Sequence, residues 1–346
     1  MKTILKLNYY LILLILFSCS SKKVVKDSNS VEKDDFVIAF GSCNKQYEEN
    51  VLWKEIGKNN PDLWVWGGDN IYSDTNDMSV LRANYDKLST QKGYADLIKN
   101  IPVMATWDDH DYGINDGGVE YDKKNESQEV FLDFFKVGKD SERRKRKGIY
   151  HSEIFKTTKG SIKVIVLDTR FFRTALTKSK VKKRRNTPNK YGEGTVLGEI
   201  QWKWLINELN NSKADFNIIV SSIQVLAAEH GFETWGNFPH EVDKLKNVIT
   251  TSKAKGVLII SGDRHISEFS KTKVNNLSFP LIDFTSSGLT HSYNNFTSEN
   301  NKLRVKNVVS EISFGLLKFN FDTHQIKMQM KGKENILLQE IIQLYQ

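Results

Sequence analysis

Cysteine is almost absent from this chain, which has two in 346 residues, Cys19 and Cys43. That excludes a disulfide-framed scaffold and leaves at most one bridge. Internal repeats are missing too, as is any apolar run long enough to cross a bilayer comfortably, so a repeat array and a conventional spanning helix are excluded. Charge of one sign is in slight excess only. The formal net charge of +8 comes from 50 Lys and Arg against 42 Asp and Glu, a weak argument for an anionic partner. The excess concentrates in Arg143-Arg144-Lys145-Arg146-Lys147 and in KSKVKKRR, residues 178–185. Each reads as a solvated loop, with a polyanion-contacting rim as the alternative. KSKVKKRR also lacks the interleaved aromatic residues that single-stranded nucleic acid binding uses, so no stable nucleic-acid partner is expected. What remains is ordinary. Hydrophobic residues at 39% and charged residues at 27% describe a soluble globular chain of one large or two modest domains.

The N-terminus differs in kind. Lys2 and Lys6 precede YYLILLILF, a run whose length suits a signal-peptide core. Leu16-Phe17-Ser18-Cys19 followed by SSKK resembles a bacterial lipobox, in which cleavage precedes a cysteine that is then diacylated. Phe17 is bulkier than the usual residue there, and a plain signal peptide with an incidental cysteine is the alternative. The expectation is a signal peptide over 1–18, a polar tether over 19–35 and one domain over 36–346. The protein would then be an exported bacterial lipoprotein, anchored to a membrane through lipid on Cys19 and facing the periplasm or cell surface. Cys43 is left without an intramolecular partner. In a disulfide-permissive place such a thiol must be buried or bound to something.

Six short apolar segments end abruptly in polar or reactive residues. FVIAF (36–40) runs into Gly41-Ser42-Cys43, DLWVW (62–66) into Gly67-Gly68-Asp69, and IPVMATW (101–107) into Asp108-Asp109-His110. KVIVL (163–167) runs into Asp168-Thr169-Arg170, FNIIV (216–220) into Ser221-Ser222-Ile223-Gln224, and GVLIIS (256–261) into Gly262-Asp263-Arg264-His265. Continuous apolar runs of this length read as strands covered on both faces. Helical spacing occupies 48–59, 79–99, 126–136, 197–210 and 240–253, so the chain is α/β. In open α/β sheets, sites assemble beyond the carboxyl ends of the strands, where these six segments deliver their polar residues. PLIDFTSSG, FGLLKFNFD and HQIKMQMKG alternate like antiparallel strands and are expected as a second sheet packed on the first. KENILLQEIIQLYQ is expected to close the chain as an amphipathic helix.

Thiolate, carboxylate and imidazole are metal ligands by type, and Tyr72, three residues past Asp69, adds a hard phenolate donor. Such a mixed set suits iron better than zinc, and oxygen-rich neighbours suit a harder second ion. Singly each motif is weak, since Asp69 could serve a turn, Tyr72 could be packing and His265 could be a satisfied histidine. The seven tryptophans read as core or pocket wall, with Trp107 and Trp235 nearest the site motifs.

The ordered set GSC, GGDNIYSD, TWDDHDYGIND, LDTRFFR, LGEIQWKWL, SSIQV and SGDRH, with WGNFPHEVDKL and TSSGLTHS, resembles the PhoD-like (alkaline phosphatase D) branch of the calcineurin-like metallophosphatases, over about residues 36–293. The resemblance implies a four-layer α/β/β/α sandwich, two mixed β-sheets flanked by helices, making 36–346 a catalytic domain. It implies a phosphomonoesterase or phosphodiesterase acting on phosphate esters with Fe³⁺ and Ca²⁺, Mn²⁺, Mg²⁺ or Zn²⁺ being alternatives for the second ion. By the resemblance, Cys43, Asp69, Tyr72 and His265 hold the iron, with Asp69 bridging, and Asp263 and Asp109 serve the second ion. Asn115 is an alternative occupant of the place given to Asp109. His110 occupies the catalytic histidine position, and Arg170 is the candidate phosphate clamp, with a structural ion pair as the equal alternative. Asp108, Asp111 and Asp116 are read as holding the loop.

Two departures stand out. Cys43 replaces the Asp-x-His of the wider superfamily, and residues 20–35 are too short for the N-terminal sandwich domain that some members carry. Gln224 stands near a superfamily histidine ligand, which points to a carboxylate- and amide-rich second site. The expected protein is a monomer. Its competitors are a non-catalytic metal- or phosphate-binding lipoprotein retaining the fold, and a nuclease- or phospholipase D-like phosphodiesterase.

Overall fold

Alternate residues of β1 (Phe36–Gly41) enter different cores, Phe36, Ile38 and Phe40 one and Val37 and Ala39 the other. β2 (Leu63–Gly67) repeats the division, with Leu63 and Val65 on one side and Trp64 and Trp66 on the other. A strand buried on both faces has no polar position to alternate with, which is why these segments read as unbroken apolar runs.

The structure is a computed structural model, and it describes residues 34–345. The signal peptide, Cys19 and nearly all of the tether lie outside those residues. Asp34 and Asp35, given to the tether, belong to the fold: Asp35 N–H donates to Phe319 O at 2.9 Å and Asp34 pairs with Lys318 at 2.8 Å.

Two sheets carry the molecule. In the first, β1 and β2 run parallel with β3 (Val103–Thr106). Beyond β1 the same sheet continues antiparallel through β4 (Phe314–Asn320), β5 (Gln325–Lys331) and β6 (Leu337–Leu344). Among the described residues the second sheet has seven strands. Its parallel centre is β7 (Ser161–Val166), β8 (Phe216–Val220), β9 (Val257–Ser261) and β10 (Leu281–Ser286). Antiparallel strands 151–156, 267–272 and 304–309 complete it.

One core lies between the sheets and reaches the helices Gly198–Asn210 and Pro239–Thr251. The Phe40 ring of the first sheet meets Phe284 of the second edge-on at 4.8 Å. The other core packs the outer face of the first sheet against helices Leu52–Gly57, Met78–Thr90 and Lys124–Phe134. Two mixed sheets flanked by helices are what the resemblance implied.

Three expectations are corrected. The six apolar segments divide three and three between the sheets, and the C-terminal strands extend both sheets instead of forming a second one. The expected C-terminal helix is strand β6, paired with β5 from Gln325↔Leu344 to Lys331↔Leu337. A short helix there would have left the edge of β5 unpaired, and the β-branched Ile341 and Ile342 favour the extended form. The helix over 79–99 is broken at Gln91, whose ψ is 111°. Its side chain accepts from Trp53 Nε1 at 3.0 Å and donates to Gln46 O at 2.9 Å, so tertiary bonds hold it extended.

Candidate metal centre

The parallel strands of both sheets end at one place. At Gly262 a Cβ would lie 2.6 Å from the Gly67 carbonyl oxygen and from Ser42 Oγ, and at Gly68 it would lie 2.6 Å from Asp108 Cβ. Glycine therefore lets the ends of β1, β2, β3 and β9 close on one another. The turns beyond them are tight. Cys43, Asp69, Asp263 and His265 have φ of 62°, 49°, 72° and 52°, a left-handed region that costs side-chain-bearing residues roughly 1–3 kcal/mol each. Four of the six expected ligands share this strain, which aims their side chains inward.

Donor atoms of Cys43, Asp69 and His265 lie within 4.8 Å of one another. Tyr72 Oη is 3.1 Å from Asp69 Oδ2 and 3.0 Å from His265 Nε2. Ser287 ties the set together, with its Oγ 3.0 Å from Cys43 Sγ and accepting from His265 N–H at 2.8 Å. Asp69 also belongs to a cluster with Asp109 and His110, and Asp108, Asp109 and Asp263 form another. The structure thus brings together Cys43, Asp69, Tyr72, Asp109, His110, Asp263 and His265.

The donor chemistry fits a pair of metal ions. Burial, Cys43 and neighbouring carboxylates push Asp69 well above the usual carboxylate range, and burial pushes Asp263 up to about 8, against the pull of Arg264. Cations among these acids would relieve that cost. Burial raises the Cys43 thiol to about 11 and the Tyr72 phenol well above its ordinary value, so both keep their protons at neutral pH unless a metal displaces them. Burial and Arg264 lower His265 to about 4, leaving the neutral imidazole that ligation requires.

Arg170 is corrected from clamp to ion pair. It is fully buried; its Nε donates to Asp108 Oδ1 at 2.6 Å and its Nη1 to Glu233 Oε2 at 2.7 Å and to Gly117 O at 3.2 Å. Arg173 Nε lies 2.8 Å from Glu233 Oε1, closing a buried quartet of two acids and two bases. Asn115 joins neighbours together, donating to Asp109 Oδ2 at 2.8 Å and accepting from Arg185 Nη2 at 2.9 Å. Gln224 is fully buried; its Nε2 donates to Glu268 Oε1 at 2.7 Å and to Thr285 Oγ1 at 2.9 Å, and its Oε1 has no hydrogen-bond partner among the described residues. Trp107 and Trp235 are core residues whose Nε1 atoms bond Asp168 and Ser221. The arginines of 143–147 are structural as well: Arg144 pairs with Glu129 and Asp133, and Arg146 stacks over Tyr150 at 4.0 Å.

A cleft of about 430 Å³ opens on the site, lined on one side by Asp109, His110, Asp263 and His265. Sequence reasoning gave no role to several residues found here. Asp74 Oδ2 sits 2.6 Å from His110 Nδ1, and Glu233, Arg264, Glu299 and Arg185 reach the cleft wall. Asp74 was visible in GGDNIYSD and Arg264 in SGDRH. Glu233 sits at no strand end and carried no signal.

A family model described as PhoD-like phosphatase matches residues 38–336. Alkaline phosphatase D of Bacillus subtilis (strain 168) is 23% identical over 310 residues, covering 72% of this chain and 51% of that protein. The chain therefore spans about half the length of that curated relative. A solved structure of PhoD matches with TM-score 0.70 at 18% identity, covering 89% of this chain and 69% of that one. A dimetal phosphatase from Danio rerio matches with TM-score 0.52 at 12% identity, covering 91% of this chain and 100% of that one. At such identities the two structures speak to the fold alone.

Two outcomes are expected. Arg170→Ala leaves Asp108 and Glu233 short of buried counter-charge and should cost about 3–5 kcal/mol in denaturant unfolding; a fully stable variant impaired only in substrate binding would restore the clamp. Cys43→Ala should lose bound metal with the fold kept, read by elemental analysis beside circular dichroism. A variant as metal-rich as its parent removes Cys43 from the ligand set.

Proposed function

The chain belongs to the PhoD-like phosphatase family, and from that membership we propose that it is a metal-dependent phosphoesterase, lipid-anchored outside the cytoplasm and acting on phosphate mono- or diesters. The observation that carries the reading is Asp69 standing in two donor clusters at once, one with Cys43 and His265 and one with Asp109 and His110. A shared carboxylate between two ion positions is the arrangement of a two-metal hydrolase.

Cys43, Asp69, Tyr72 and His265 would hold the first ion, for which thiolate and phenolate donors favour Fe³⁺. Asp69, Asp109 and Asp263 would hold the second, whose oxygen donors favour Ca²⁺. When bound, the ions polarise the phosphoryl group and lower the pKa of the attacking water. The chain's own residues do the rest. His110 is stacked on Tyr72 with ring centroids 4.1 Å apart, and Asp74 fixes its Nδ1. Burial acts to lower its pKa, but Asp69, Asp74 and Asp109 outweigh that and push it up to about 10. With Nδ1 committed to Asp74, Nε2 is the nitrogen that would protonate the leaving oxygen. The buried quartet holds Asp108, which caps the short helix Asp109–Tyr112 that carries Asp109 and His110.

Lys2, Lys6, the apolar run after them and Cys19 support export and lipid anchoring. No helix among the described residues is long and apolar enough to cross a membrane.

The activity is tested by assaying metal-analysed protein side by side on p-nitrophenyl phosphate and bis-p-nitrophenyl phosphate. Turnover of at least one ester, abolished by chelation, is expected; inactivity on both with metals loaded sinks the enzyme reading and favours a binding lipoprotein. For the anchor, cells fed labelled palmitate should label the parent chain and not Cys19→Ala. An unlabelled parent ends the lipoprotein assignment.

A further inference from the structure

Among the described residues lining the cleft, the arginines are Arg185 and Arg264, and they differ in what already holds them. Arg264 Nη2 donates to both oxygens of Glu299, at 2.8 and 2.7 Å, and its guanidinium lies 4.2 Å over the Phe232 ring. Its side chain is 10% exposed, so it is a wall. Arg185 keeps 47% of its side chain exposed. Its Nε is 3.1 Å from Asp116 Oδ2, and its Nη2 donates to Asn115. Asp116 has a second cation, Lys178 Nζ at 3.2 Å, and so stays paired when Arg185 leaves it.

The stem beneath Arg185 is fixed. Arg185 N–H and Asn186 N–H both donate to Gly231 O, at 2.8 and 2.9 Å, and Ser179 N–H donates to Arg185 O at 3.1 Å. A bridge between Lys178 and Asn186 closes the base of the loop. Only side-chain dihedrals must change for the guanidinium to turn into the cleft, so little backbone order is lost or gained in doing so. Asn115 meanwhile links this arginine to Asp109, placing the cation beside the reacting end of the cleft.

We propose that Arg185 grips the phosphoryl oxygens of the substrate, trading Asp116 for the ester while Lys178 remains on the carboxylate. The inference rests on the phosphoester reading of the site. A planar guanidinium matches phosphate with two parallel hydrogen bonds, an advantage a lysine in the same loop lacks. The basic run 178–185 thereby has one working member, and its other charges stay at the surface.

The test is binding of inorganic phosphate to the metal-loaded full chain by titration calorimetry, alongside KM and kcat on both nitrophenyl esters. Variants are Arg185→Ala and Lys182→Ala, the latter removing an equal charge from an exposed position of the same run. Loss of a charge-assisted contact should weaken phosphate binding by Arg185→Ala roughly tenfold to a hundredfold. KM should rise with a smaller loss in kcat, and Lys182→Ala should bind as its parent does. Arg185→Ala that binds phosphate like the parent, even if less heat-stable, makes the residue a structural ion pair and overturns the proposal. Equal weakening by Lys182→Ala also overturns it, in favour of general surface charge. The binding arm stands apart from turnover: a parent that binds phosphate through Arg185 yet hydrolyses neither ester upholds this inference and overturns the proposed function.

Discussion

The pairing of Arg170 with Asp108 and Glu233 is the interaction on which the site depends. Buried acidic side chains crowd into the small volume beyond the strand ends, and buried unpaired charge is among the costliest things a fold can contain. Arg170 and Arg173 answer Asp108 and Glu233 with opposite charge, so this part is neutral before any ligand arrives. Asp69, Asp109 and Asp263 are left without a buried arginine dedicated to each, and the raised pKa of Asp69 and Asp263 marks the cost that cations would relieve. Arg170 itself is held firmly protonated, its burial outweighed by Asp108 and Glu233. The cleft is thus acidic where cations would sit and structurally neutral underneath.

That arrangement needs two sheets. Neither one alone supplies all the donors: Cys43, Asp69, Tyr72 and Asp109 follow strands of the first, Asp263 and His265 a strand of the second. Contact between Gly262 and Gly67 brings the halves together, and Ser287, just past β10, joins Cys43 to His265. The left-handed backbone at four donors is tolerable because both cores behind it are densely packed and apolar. Local strain and core stability are here two sides of one design, rigid donors on a rigid scaffold.

Much of this was legible. An unbroken apolar run ending in Gly-Ser-Cys or Gly-Gly-Asp announces a doubly covered strand with its polar freight at the carboxyl end, and all six such runs behave so. Other features were illegible for definite reasons. KENILLQEIIQLYQ has apolar residues at helical spacing, yet the open edge of the preceding strand β5 decides its form, because pairing with that edge satisfies backbone groups a helix would leave exposed. LDTR looks the same whether its arginine turns into the cleft or beneath it. Glu233 lies in a loop whose pattern carries no period at all, and only its two arginine partners reveal its use.

The amino-acid sequence by itself determined the inventory of the site: which six segments are doubly covered strands, and which thiol, phenol, carboxylate and imidazole groups stand at their ends. Periodicity and residue type are local properties, and local reading recovers them. Tertiary structure alone decided how six strands divide between two sheets, that the last segment is a strand, and which arginine is buried and which is exposed at the cleft. The sheet division and the fate of each arginine follow from partners and counter-charges far apart in the chain, and the last strand from pairing with its neighbour β5; none of these energies exists until the elements meet.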